Sequence, residues 1–177
     1  VVDDWRKTVS PDFKRSGSPI LLVGDYSGAE LGGSIFADRL GQLGTAVPEV
    51  KMETAKEIYE LIHANIQSGN ILSASDVSEC GALIAAAAMA IGGKKGFNLF
   101  VNDKVKTLFA EVPASFIVEM KDIESADEMI DSGLAVQIGT TTTDYRAVVN
   151  DFKGKKIDID MYEIENCWKA PFRKYFS

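Results

Sequence analysis

The segment over residues 71–91 constrains the fold more than any other part of the chain. It begins with the apolar pair Ile71-Leu72, passes through a polar turn with Asp76, Ser78 and Glu79, and continues as an unbroken apolar stretch. This order predicts a strand, a turn and a buried helix, because the last part is apolar on every side. In α/β folds ligands bind at such turns, where the carboxyl end of a strand meets the free N–H groups of a helix.

Hydrophobic patterns along the rest of the chain alternate between strand and helix. Apolar runs or alternation with a period of two predict strands at 19–24, 96–101, 116–118 and 134–138, then a β-pair at 145–149 and 156–160. Helical spacing is found after Ser34, over 53–68, around 105–109, over 125–133, and from 164 onward. This alternation is typical of a layered α/β domain.

Local patterns also predict where three helices begin or end. Gly69 is expected to end the amphipathic helix over 53–68, and the sole histidine, His63, falls on the solvent side of that helix. The tetrapeptide Ser125-Ala126-Asp127-Glu128 has the capping-box pattern, so Ser125 is predicted to cap the next helix. Pro171 is expected to stop the last helix.

Composition and charge exclude several classes of protein. The 177 residues are 46% hydrophobic and 25% charged, which suits a globular protein with a sizeable core. The net charge of −7 and the absence of a basic face argue against nucleic-acid binding. Cys80 and Cys167 have neither zinc-site spacing nor the density of a secreted disulfide scaffold. The longest apolar run, 82–91, is about half a membrane span, so a cytoplasmic protein without membrane association is expected.

Domain boundaries are suggested by the first residues. Residues 1–18 are polar and irregular, with Pro11 and Gly17 as breakers, and are predicted to be a linker before a domain over 19–177. Such a linker indicates that another segment precedes this one in a longer protein.

A glycine-rich turn, Gly28-Ala29-Glu30-Leu31-Gly32-Gly33-Ser34, follows the first predicted strand. It matches neither the dinucleotide fingerprint nor the phosphate-loop pattern. Close packing of the next helix is therefore the first interpretation, and backbone contact with a phosphate is the second.

Two motifs together resemble a known family. The stretch Ala74-Ser75-Asp76-Val77-Ser78-Glu79-Cys80-Gly81 resembles the His-Asp-x-Ser-[Asp/Glu]-Gly-Gly motif of the phosphoribosylformylglycinamidine synthases, the amidotransferases of purine biosynthesis. Residues 30–34 resemble the Leu-Gly-Gly-Ser helix start of that family, and Trp168 falls near its domain-end tryptophan. The resemblance covers about Asp12 to Trp168. It implies the C-terminal domain of an AIR-synthase-like module, the second such domain of the enzyme, with a three-layer α-β-α fold and a mixed sheet.

The resemblance also implies a ligand site. Asp76 would bind Mg²⁺, and Ser78 with Gly81 would hold the phosphate of ATP or ADP, as suits a carboxylate and a helix N-terminus. Weaker candidates are Glu79, Gly32, Gly33 and Ser34. Ser75 stands in place of the histidine of the family motif, and Cys80 in place of its first glycine. The alternative is that Asp76 or Ser78 only caps the helix.

No catalytic residue is predicted in this chain. A glutaminase needs an activated cysteine with a histidine partner, and the one histidine is expected on a solvated helix face. The carboxylate pairs Asp158 with Asp160 and Glu163 with Glu165 are likewise expected on solvated faces.

Three hypotheses remain open from the sequence. The first is a domain of a phosphoribosylformylglycinamidine synthase, an ATP-dependent C–N ligase, that is inactive alone. Its partners would be the N-terminal AIR-synthase-like domain and a glutaminase domain or subunit, and its substrate a small nucleotide. The second is the same domain of an AIR synthetase, selenophosphate synthetase or thiamine-phosphate kinase. The third is a non-catalytic scaffold that holds a structural nucleotide.

Overall fold

The described residues, 4–101, 104–151, 154 and 156–176 of a computed structural model, form a mixed seven-stranded sheet with helices on both faces. The strands are β1 Pro19–Val23, β2 Ile71–Asp76, β3 Gly96–Val101, β4 Phe116–Met120, β5 Ala135–Thr142, β6 Arg146–Asp151 and β7 Lys156–Asp160. Their spatial order is β2-β4-β1-β5-β3-β6-β7. Only β3 and β6 are parallel neighbours; the other adjacent pairs are antiparallel.

The helices in the same residues are α1 Ile35–Arg39, α2 Met52–Ser68, α3 Gly81–Gly93, α4 Lys104–Phe109, α5 Ile123–Ile130 and α6 Met161–Phe176. Two short 3-10 helices, Trp5–Lys7 and Tyr26–Gly28, lie near the start. Within the described ranges, no helix is both long and apolar enough to cross a membrane.

Two hydrophobic cores lie on opposite faces of the sheet. The interior strand β1 is buried along its whole length, because Ile20 and Leu22 enter one core while Leu21 and Val23 enter the other. The first core contains α3 and the start of α6, and the second contains α2 and α5. A strand covered on both faces reads as a continuous apolar run, as this one does. The predicted three-layer α-β-α architecture is confirmed.

Helix α2 follows its predicted pattern. Ala55, Ile58 and Ile62 are buried on one face, and His63 is exposed on the other. Gly69 ends the helix with φ +77°, a left-handed conformation that glycine adopts without steric cost. The expectation of a solvated His63 is confirmed.

Helix α3 is buried on its sheet-facing side but not all round. Ala82, Ala86 and Ala90 have no exposed surface, since their small side chains bring the helix close to the sheet. Ile84 points outward and is 37% exposed. The expectation of a helix covered on every side is therefore wrong at this flank.

Two predicted helix boundaries are also wrong. Asp122 caps α5, where its carboxylate accepts the N–H of Ser125 at 2.9 Å, and Ser125 is a buried residue of the first turn. Helix α6 continues through Pro171 to Phe176. Proline removes one backbone hydrogen bond, and the exposed end of this helix accommodates that loss.

Of the carboxylate pair on α6, Glu163 is exposed as expected, but Glu165 does not lie on a solvated face. Glu165 is only 8% exposed and accepts hydrogen bonds from Lys94 at 2.6 Å, from the Tyr145 hydroxyl at 3.0 Å and from Lys169. These partners lower the pKa of the Glu165 carboxyl to about 2, the Lys169 and Lys94 ammonium groups contributing most. Glu165 therefore ties α6 to the end of α3.

Residues 13–15, within the predicted linker, contact the sheet and α3 closely. Phe13 is 1% exposed in the core beside α3, and its N–H donates to the Met89 carbonyl at 3.1 Å. The buried Glu119 carboxylate accepts the N–H groups of Lys14 and Arg15 at 2.7 and 2.9 Å. The linker boundary after residue 18 stays a prediction, but residues 13–15 are held by the sheet.

Candidate functional site

Three loops meet at one edge of the sheet. Strands β1 and β2 both pair antiparallel to β4, so their carboxyl ends lie on the same side as the amino end of β4. The segments concerned are 24–34 after β1, 77–80 after β2, and 110–115 before β4. The Val77 N–H donates to the Ser115 carbonyl at 2.9 Å, which joins the last two. Ligands of α/β proteins bind at this kind of edge.

The predicted ligand turn leaves its polar side chains free to face solvent. Asp76 is the last residue of β2, and Asp76, Ser78 and Glu79 are all exposed. The N-cap position of α3 is Cys80, and no side chain donates or accepts a capping hydrogen bond there. The alternative that Asp76 or Ser78 caps the helix is therefore wrong. The Gly81 N–H donates to the Ser78 carbonyl at 3.1 Å. The next N–H groups of the first turn have no partner within the helix, so they are the ones that can face a ligand.

Cys80 and Gly81 both have left-handed backbone conformations, with φ of 66° and 78°. Cys80 occupies the position of the first glycine of the resembled motif, which explains why that motif has glycine there. Gly81 is constrained further, because a Cβ atom would lie 2.6 Å from the Leu108 carbonyl oxygen and 2.7 Å from Phe109 Cα. Gly81 thus allows the start of α3 to contact the end of α4.

The glycine-rich segment uses its backbone groups internally. Gly32 and Gly33 donate their N–H groups to the carbonyls of Ala46 and Leu43, each at 2.9 Å. The Ser34 hydroxyl accepts the Ala37 N–H at 3.2 Å and so caps α1. A Cβ on Gly32 would overlap the Ala46 carbonyl. These contacts favour the interpretation of close packing over that of direct phosphate contact.

Glu111 is a residue of this edge that the sequence interpretation missed. Its Oε1 atom accepts two backbone N–H groups, from Ile35 at 3.0 Å and from Cys80 at 2.9 Å. One carboxylate therefore links the start of α1 to the turn before α3. The sequence offered one signal for Glu111, which is a single acidic residue between the apolar Ala110 and Val112.

Charges of both signs surround these loops. The Lys51 ammonium group, 2.5 Å from the Asp25 carboxylate, is the main cause that lowers the pKa of Asp25 to about 2. Lys106 and Glu30 form an ion pair at 3.1 Å. Partial burial, and then the carboxylates of Glu111 and Glu79, raise the pKa of the Cys80 thiol. A thiol held in its neutral form is a poor nucleophile.

In the part of the chain that the structure describes, no three His, Cys, Asp or Glu side chains cluster as a complete metal site. Asp76 offers a single exposed carboxylate. Because Mg²⁺ usually takes one or two carboxylates and completes its shell with water and phosphate oxygens, this donor set is compatible with a nucleotide-bound ion.

Comparison with known proteins identifies the family. The family described as "AIR synthase related protein, C-terminal domain" matches residues 15–151, which include β1 to β6 and the turn before α3. The chain belongs to this family. Among curated relatives of this AIR synthase related domain, the PurL subunit of phosphoribosylformylglycinamidine synthase from Thermoanaerobacter sp. (strain X514) is 27% identical over 178 residues. That match covers 96% of this chain and 24% of the relative.

A second PurL subunit, from Picrophilus torridus, is also 27% identical and covers 99% of this chain and 23% of its own length. The domain thus spans about a quarter of the curated relatives that it matches. The resemblance to the phosphoribosylformylglycinamidine synthases is confirmed.

Solved structures agree on the fold. Thermotoga maritima PurL complexed with FGAR has a TM-score of 0.76 at 14% identity and covers 90% of this chain and 30% of its own. The hydrogenase maturation protein HypE in complex with ATP has a TM-score of 0.62 at 16% identity, with 89% and 53% coverage. At these identities the likeness extends to the fold alone.

Proposed function

We propose that this chain is the C-terminal domain of an AIR-synthase-like module in a PurL-type phosphoribosylformylglycinamidine synthase, and that its turn Asp76–Gly81 holds a magnesium nucleotide. The observation that carries this proposal is the exposed acidic and hydroxyl turn in front of a helix without a side-chain cap. Similarity to PurL subunits along nearly the whole chain supports it.

Each residue of the turn has a distinct part in this proposal. The Asp76 carboxylate would bind Mg²⁺, which would neutralise charge on the nucleotide phosphates. The Ser78 hydroxyl and the N–H groups that follow Gly81 in the first turn of α3 would donate to a phosphate at the positive end of the helix dipole. Gly81 keeps the backbone close enough to α4 for this geometry, and Glu79 is a second carboxylate at the rim. Gly32, Gly33 and Ser34 support the turn from the neighbouring loop.

The reaction proposed for the whole enzyme is the ATP-dependent conversion of formylglycinamide ribonucleotide and glutamine-derived ammonia to formylglycinamidine ribonucleotide. Thermotoga maritima PurL has been solved with FGAR, with ATP and with ADP, which supports a nucleotide at this fold. The turn lies on an open surface, so it would bind the nucleotide by itself, whereas an N-terminal AIR-synthase-like domain would be needed to complete the catalytic site. A glutaminase domain or subunit would supply ammonia, and a PurLQS assembly exists for that relative. We expect the isolated chain to be inactive.

A structural nucleotide is the second candidate. Cys80 places a side chain where the motif has glycine, and Ser75 replaces an imidazole, so the turn retains groups that bind and lacks one that could transfer protons. Tight retention of ADP without turnover would favour this scaffold over a catalytic site.

The test is binding of Mg-ADP to the purified chain by calorimetry, with three variants. Asp76→Asn should weaken binding by more than about tenfold, because it removes a charged metal ligand. Ser78→Ala should weaken Mg-ADP binding by about two- to tenfold, which corresponds to the loss of one neutral hydrogen bond. His63→Ala, on the exposed face of α2, is the control and should bind as the parent does. If Asp76→Asn bound Mg-ADP as tightly as the parent, the proposed site would be wrong.

A further inference from the structure

One carboxylate oxygen connects two loops that lie far apart in the sequence. Glu111 Oε1 receives the Ile35 N–H at 3.0 Å and the Cys80 N–H at 2.9 Å. Ile35 is the first residue of α1, directly after the glycine-rich segment, and Cys80 is the last residue before α3. Both loops lie at the edge where β1 and β2 end.

The hydrogen bond from the Cys80 N–H stabilises a residue whose backbone conformation is unfavourable by itself. Cys80 has a positive φ although it carries a side chain, and such a residue persists only where its surroundings hold it. The Glu111 oxygen holds its N–H group, and the close contact of Gly81 with α4 holds the next residue. The direction of the first N–H groups of α3 depends on these two residues.

The other half of the contact is equally well supported. The Ser34 cap fixes the first turn of α1, and Phe36 stacks on Phe109 with ring centroids 4.4 Å apart. Glu111 comes two residues after Phe109, so the short segment that carries its carboxylate is itself anchored on α1. A displacement of either loop therefore stretches a hydrogen bond to the same oxygen atom.

We propose that Glu111 is a positioning residue that aligns the Ser78–Gly81 backbone with the glycine-rich segment and thereby directs the turn at the phosphate of its ligand. The part that concerns the ligand rests on the proposed function; the alignment of the two loops does not. Glu111 acts through the backbone and needs no contact with the nucleotide.

Two variants separate geometry from charge. Glu111→Gln removes the negative charge but keeps an oxygen acceptor at the same reach, so both N–H bonds can form. Glu111→Asp keeps the charge but shortens the side chain by one methylene group, so its oxygen cannot reach both amides. Glu128→Gln and Glu128→Asp, at an exposed position of α5, are matched controls.

The experiment records the amide NMR signals of Ile35 and Cys80, the pKa of the Cys80 thiol, and Mg-ADP affinity of the purified chain. In Glu111→Asp at least one of the two amide signals should move as its bond is lost, and Mg-ADP affinity should fall by about tenfold or more. In Glu111→Gln affinity should stay within about threefold of the parent. The pKa of the Cys80 thiol should fall in Glu111→Gln, because the nearby negative charge is gone.

Each outcome is decisive. Equal affinity in Glu111→Asp and the parent, or equal losses in the two Glu111 variants, would overturn the positioning role. If the parent chain bound no Mg-ADP, the proposed function would fail. The amide signals would still decide whether Glu111 links the loops: unchanged signals in Glu111→Asp would refute the link.

Discussion

Replacement of Gly81 by alanine tests the most constrained backbone position of the site. Gly81 has φ +78°, and a Cβ atom there would lie 2.6 Å from the Leu108 carbonyl oxygen and 2.7 Å from Phe109 Cα. Both obstacles are backbone atoms of α4, which cannot rotate away as a flexible side chain could. The variant therefore carries two separate penalties.

The size of each penalty follows from the geometry. A side chain in the left-handed region costs about 1–2 kcal/mol, and the lower entropy of the unfolded alanine chain returns about 0.4–1 kcal/mol. Overpacking against fixed atoms adds about 1–3 kcal/mol. Gly69→Ala is a matched control, because Gly69 has φ +77° and nothing within 4 Å of an added Cβ. It should show the first penalty without the second.

Urea and thermal unfolding of both variants provide the measurement. Gly81→Ala should be less stable than Gly69→Ala by about 1–3 kcal/mol, which corresponds to a melting temperature lower by about 3–10 °C in a chain of this size. If the two variants differed by less than about 0.5 kcal/mol, Gly81 would not lie against α4, and the placement of the turn would be wrong.

Three further predictions concern stability. Because the pKa of Glu165 is lowered from 4.5 to about 2 in the folded chain, its contribution to stability is complete above pH 4.5 and lost as the pH falls toward 2. In Glu165→Gln the free energy of unfolding, measured between about pH 5 and pH 2, should therefore fall less with decreasing pH than in the parent. An equal fall in both proteins would contradict the pairing. Ala86→Asp should unfold the domain, since Ala86 has no exposed surface, whereas Ile84→Asp, at 37% exposure, should remain folded by circular dichroism. Glu119→Ala leaves two backbone N–H groups without their acceptor, at about 1–3 kcal/mol each, and trypsin should then cleave after Arg15 faster than in the parent.

The layers of the fold were predictable because the local periodicity of apolar residues indicates which faces of a strand or helix are buried. The apolar run over residues 19–24 predicted the strand β1, and its side chains enter both cores, as a continuous apolar run requires. The stripe of Ala55, Ile58 and Ile62 predicted α2 together with its solvated side. The position of the Asp76–Gly81 turn between β2 and α3 followed from the same reasoning.

Features that depend on distant residues were not predictable. Asp122 and Ser125 are both good N-caps, and the choice between them is made by where β4 ends, not by the tetrapeptide pattern. The partners of Glu111 lie 31 and 76 residues away, so no local pattern connects them. Glu165 was expected in solvent because its lysine and tyrosine partners come together only after α6 contacts α3.

The contacts of Phe13 bear on how this domain can be excised for independent use. The family match begins at residue 15 and ends at residue 151, yet Phe13 fills the core beside α3 and the buried Met161 begins α6. A piece cut at the family boundaries would lack both side chains and would expose apolar surface of α3 to water. The smallest unit expected to fold on its own therefore extends beyond the recognised family on both sides, from before Phe13 to at least Glu165.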